Sequence, residues 1–97
     1  MPYVYHYATE LAKSHKHLMA IVPKELDKLG FKISSKPNQW EKFAYNDTTV
    51  VVATAVPRSA SKTYVHVLAT SERDAYAKKS AADVFNAIKN SKLVLAD

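Results

Sequence analysis

The sequence predicts an α+β fold: a two-layer sandwich in the order helix, four-stranded antiparallel meander, helix, with both helices on one sheet face. Three observations carry this expectation. Apolar residues recur at helical spacing in Ala8 to Leu29 and again from Ser71 to about Asn90. Between them lie four short strand-like runs separated by brief polar turns, which favours antiparallel neighbours. The third run, Thr48 to Val56, reads TTVVVATAV and is apolar on both faces.

In the first helical stretch, Leu11, His15, Leu18, Met19, Val22, Leu26 and Leu29 fall on one side at about 100° per residue. Lys13, Lys16, His17, Lys24 and Lys28 fall on the other. Pro23 lacks an N–H, so it either kinks this helix or splits it. Gly30, the sole glycine, supplies the left-handed residue that commonly follows a helix. Upstream, Tyr3, Val4, Tyr5 and Tyr7 form either a short edge strand or an aromatic arm.

The strands follow in order. Phe31 to Ser35 is the first, and Lys36-Pro37-Asn38 is a turn by composition. Gln39 to Tyr45 is the second, with Trp40 on one face and Phe43 and Tyr45 on the other. Asn46-Asp47 suits a tight hairpin with left-handed backbone angles. In the third strand, Val50, Val52 and Val56 face one way, and Val51, Ala53 and Ala55 the other. Residues 57–62 are a loop. Thr63 to Thr70 is the fourth strand, with Val65 and Val67 opposite Tyr64, His66 and Leu68. Ser71 begins the last helix, where Ser71 and Asp74 have capping-box spacing. Its buried stripe is Ala77, Ala81, Val84, Phe85 and Ile88, and Leu93 to Asp97 is a tail.

Ninety-seven residues, 47% of them hydrophobic, fit one domain with a real core, residues 1–97. The absence of cysteine excludes disulfides and Cys-based zinc sites. A single glycine excludes a P-loop or a dinucleotide fingerprint. The N-terminal residues lack the basic start and apolar run of a signal peptide. No stretch approaches the roughly 20 apolar residues of a membrane span. A cytoplasmic protein with no membrane partner is the expectation.

Catalytic signals are thin. His15 and His17 are two apart and point to different sides of a helix, and no His-Glu-x-x-His occurs. His66 beside Tyr64 could serve as a general base, but a surface or interface position suits this strand residue better. The carboxylates lie beside lysines or at helix ends and form no convergent pair. No enzyme, cofactor or metal is expected.

The net charge of +5 favours anionic partners. The excess is spread over the chain, at +2 in residues 1–35, +2 in 36–70 and +1 in 71–97. A nucleic-acid surface would combine the stripe Lys13, Lys16, Lys24 and Lys28 with Arg58 and Lys62 of the loop. Exposed Trp40, Tyr45 or Tyr64 could stack on bases. The order of a helix ending in Leu29-Gly30-Phe31, then strands, then a helix bearing Lys78-Lys79 resembles double-stranded-RNA-binding domains and HicA-type toxins. In those toxins a histidine after the first strand cleaves RNA. The corresponding Lys36-Pro37-Asn38-Gln39-Trp40 has no histidine, so the resemblance implies no such nuclease here.

A strand that is apolar on both faces needs cover on both. Two helices on one face leave the other to be covered by the Tyr3–Tyr7 arm and the Leu93-Val94-Leu95 tail, or by another chain. On the second alternative the protein is a non-enzymatic binding protein, a homodimer or an inhibitor or accessory factor. Its partner surface would then hold Trp40, Tyr64, His66 and Leu68, aromatic and apolar anchors of the kind interfaces use.

Overall fold

The structure, a computed structural model, describes residues 2–34 and 40–91. The elements run β1 (Tyr3–Leu11), α1 (His15–Lys28), β2 (Lys32–Ile33), β3 (Glu41–Tyr45), β4 (Thr49–Ser59), β5 (Lys62–Ser71) and α2 (Asp74–Lys89). The strands form one five-stranded sheet in the order β1-β5-β4-β3-β2, every pair antiparallel. The meander from β2 to β5 is as expected. The fifth strand is the addition, because the N-terminal residues join the edge of β5 and lengthen the sheet. It also departs from the order that resembles double-stranded-RNA-binding domains, which has no place for it.

β1 corrects the boundary of the first helix. Ala8 to Leu11 continue the strand and pair with His66 to Thr63, so α1 begins at His15 and not at Ala8. Leu11 fits a period of two as well as one of 3.6, so periodicity alone could not separate the two. The cap decides the start: Ser14 has extended backbone angles, and its hydroxyl accepts from the His17 N–H at 3.1 Å. Pro23 lies inside one continuous helix.

The end of α1 is a Schellman motif. Phe31 N–H donates to Leu26 C=O and Gly30 N–H to Asp27 C=O, each at 3.0 Å, with Gly30 at φ 87°. Leu26 and Phe31, the residues such a motif brings together, are both buried. The Asn46-Asp47 turn forms, but without left-handed residues. The Asn46 side chain does their work, accepting from the Thr48 N–H at 3.0 Å and the Thr49 N–H at 2.9 Å.

The expected loop at 57–62 is largely strand. β4 runs to Ser59 and β5 starts at Lys62, with Arg58 as the extra residue of a bulge. The bulge follows Pro57, which cannot donate to a ladder. The Ser71–Asp74 capping box does not form either. Ser71 ends β5, its hydroxyl donates to Thr48 C=O at 2.7 Å and accepts from the Arg73 N–H, and Arg73 is the N-cap. The turn at Lys36-Pro37-Asn38 and the tail from Leu93 lie outside the described residues.

Both helices pack on one face of the sheet. Val51, Ala53 and Ala55 of β4 and Val65, Val67 and Ala69 of β5 join Leu18, Ile21, Val22 and Leu26 of α1 and Ala81, Val84 and Ile88 of α2 in one buried cluster. Small residues on the strands let the helices approach closely. Ile21, outside the expected stripe, is fully buried, whereas Leu29 is exposed at the helix end. Among the described residues, no helix is long and apolar enough to cross a membrane.

Candidate interface on the open sheet face

The face opposite the helices is set by the strand register, because residues directly opposed in an antiparallel pair point the same way. Its first row across the sheet is Lys32, Tyr45, Val50, Thr70 and Val4. The next is Phe43, Val52, Leu68 and His6. A third holds Glu41, Thr54, His66 and Ala8, and a fourth Val56, Tyr64 and Glu10. The centre of this grid is apolar and aromatic. Val4, Phe43, Tyr45, Val50 and Tyr64 are each 42–53% exposed.

No described segment lies over this grid. β1 extends the sheet sideways and leaves the face open. Four strands at about 4.8 Å spacing and seven residues at about 3.4 Å span on the order of 450 Å². Nine of the fifteen residues in this rectangle are apolar or aromatic, and an exposed cluster of that kind commonly marks an interaction site.

The expected partner residues divide. Tyr64, His66 and Leu68 share the open face, and the His66 ring lies 5.3 Å from that of His6. Trp40 is 42% exposed but belongs to the helix side, with its ring edge-on to His15 at 6.4 Å. Phe43, Tyr45, Val50, Val52, His6 and Val4 complete the patch in its place. The alternation that puts Phe43 and Tyr45 opposite Trp40 was visible in the sequence. The register that sets them beside Val52 and Val50 was not.

The electrostatics of the face differ from those of the chain. Its charged residues are Lys32, Lys62, Glu41 and Glu10, which sum to zero against a chain total of +5. Lys62 and Glu10 approach each other at 3.9 Å. Lys32 and Glu41 have no ion-pair partner among the described residues.

Two of the four lysines of the basic stripe are committed to the protein itself. Lys13 precedes α1, and its ammonium donates to the carbonyls of Ser91 at 3.2 Å and Ile88 at 3.5 Å. These carbonyls end α2, where a cation complements the helix dipole. The Lys13 carbonyl in turn accepts from the Thr63 hydroxyl at 2.8 Å, which ties the start of α1 to β5. Lys28 pairs with the buried Glu25 at 3.5 Å, and the Ser91 hydroxyl donates to the same carboxylate. Lys16 and Lys24 remain exposed, eight residues or about 12 Å apart along the helix. Arg58 is the extra residue of the bulge at the turn end of the β4–β5 hairpin.

An open depression of about 440 Å³ lies between the end of α1 and α2, lined by Lys28, Phe31, Tyr76, Lys79 and Asp83 among others. Both lysines are already paired, Lys79 with Asp83 at 2.6 Å. Among the described residues, no group of three or more His, Asp or Glu could hold a metal ion. Comparison of the chain with protein-family models, with curated proteins and with solved structures finds no match.

Proposed function

We propose that this chain is a small non-enzymatic binding protein that acts by protein–protein association through its open sheet face. The partner is a second copy of the chain or a protein for which it serves as inhibitor or accessory factor. One observation carries the reading: five strands whose second face is apolar, aromatic and uncovered by any described residue. Phe43, Tyr45 and Tyr64 are the anchors, because aromatic side chains bury large area at little conformational cost.

Nucleic-acid binding is the alternative, and the same aromatic residues could stack on bases. Stacking platforms of that kind need cations along the path of the phosphates. The open face carries no net charge, and Lys13, Lys28 and Lys62 have partners within the chain. Protein association therefore accounts for more of the geometry.

A photo-crosslinking residue placed at Val52, with Lys78 on the outer surface of α2 as the control position, tests the reading. Crosslinking in cells that produce the protein should give polypeptide adducts from position 52 well above those from position 78. Equal yields from the two positions, or nucleic-acid adducts alone, would overturn it.

A further inference from the structure

We propose that the occupant of the open face is a second copy of this chain, docked sheet to sheet about a two-fold axis that runs across the strands through the row Phe43, Val52, Leu68. This rests on the open-face reading above and adds to it the partner and its orientation.

Lys32 and Glu41 are the two charges of this face with no ion-pair partner among the described residues. Lys32 lies one row above Phe43, opposite Tyr45, and Glu41 one row below, opposite Thr54. Each is therefore about 6.8 Å along the strands from the Phe43 row, on opposite sides of it. They occupy neighbouring strands, β2 and β3, about 4.8 Å apart. A two-fold axis along that row exchanges the row above with the row below. Lys32 of one copy then meets Glu41 of the other, and symmetry makes the contact twice. The gap of about 10 Å between stacked sheets is within the combined reach of a lysine and a glutamate side chain. A two-fold axis parallel to the strands keeps each row facing itself. With the axis on β4, that arrangement sets Lys32 against Val4 and leaves its charge unanswered.

The apolar row at the centre suits the same axis. Phe43, Val52 and Leu68 lie on it and meet their own counterparts, while the row of Val50 faces the row of Thr54. Strands of the two copies run in opposite directions, within the aligned class of sheet packing. The axis lies on the second of the four rows, so three rows overlap, about 330 Å² from each copy and about 650 Å² of flat area in all. An interface of that size belongs to the weak, reversible class, so dimerisation is expected at high protein concentration. The rim charges set orientation, and the apolar centre supplies affinity.

Sedimentation equilibrium across a wide concentration range, with circular dichroism to confirm folding, tests this. The wild type should dimerise. Lys32→Glu and Glu41→Lys should each weaken the dimer by roughly tenfold, since two attractive contacts become repulsive. An equimolar mixture of the two variants should recover wild-type affinity by forming the mixed dimer, and so should the double variant. If a charge reversal disturbs folding, Lys32→Gln and Glu41→Gln should each weaken the dimer by a few-fold, with partial recovery on mixing because the mixed dimer keeps one of the two Lys32–Glu41 contacts. A wild type that stays monomeric overturns the second-copy assignment, while Val52 adducts to a different protein would leave the interface reading standing. A dimer indifferent to all these changes overturns the orientation.

Discussion

Gly30 terminates α1 through its backbone alone. A Cβ built there meets nothing within 4 Å, so no packing term enters, and the left-handed φ of 87° is the whole constraint. Gly30→Ala should therefore cost about 1–2 kcal/mol, the penalty of an L side chain in that region. For a chain of this size that lowers Tm by roughly 4–8 °C per kcal/mol, readable by thermal denaturation. An unchanged Tm would mean the Schellman hydrogen bonds from Gly30 and Phe31 do not hold the helix end. This residue was legible in the sequence because a lone glycine between a periodic stretch and a Phe has few other uses. The Asn46 turn was legible as a turn but not in its mechanism. Asn offers both a left-handed backbone and a side-chain acceptor, and only the acceptor is used.

At the scale of elements, β1 was the hardest to read. Leu11 suits a strand or a helix, and the pairing that settles the matter is with residues more than fifty positions away. What fastens this edge strand is on its covered face. Tyr7 stacks on Phe85 of α2 with ring centroids 5.5 Å apart. The Tyr5 hydroxyl donates a hydrogen bond to the Asp74 carboxylate at the start of α2. That hydrogen bond, with lesser contributions from burial and from the charge on Asp74, raises the Tyr5 pKa above its ordinary value of 10.0. A raised folded-state pKa means the folded protein holds this proton more tightly than the unfolded chain. The stabilisation is thus fully present below pH 10 and is lost as pH climbs through the folded-state value. Wild type should exceed Tyr5→Phe in Tm at pH 8, and the gap should close in the alkaline range above about pH 10. A gap constant with pH would show that the hydroxyl contributes nothing to holding β1 on α2.

For the molecule as a whole, the question is which of the two sheet faces is interior. Alternation along residues 48–56 and 63–70 sorted the side chains into two sets correctly, but both sets are apolar, so composition could not say which one the helices cover. Volume decides it: Ala53, Ala55 and Ala69 leave room for helix backbones, whereas Phe43, Tyr45 and Tyr64 on the other set would hold helices away. The same chemical change on each face makes the distinction measurable. Val67 is 0% exposed and Val50 is 45% exposed. Threonine matches valine in shape, so Val67→Thr should cost about 1–3 kcal/mol for an added buried hydroxyl. Val50→Thr should lie within about 0.5 kcal/mol when measured on dilute protein. As concentration rises, self-association should raise the wild-type Tm, because whatever binds only the folded state stabilises it by mass action. Val50→Thr should flatten that rise while Val67→Thr keeps it, offset downward. Equal losses at the two positions in dilute protein would mean that the Val50 face is as interior as the helix-covered one.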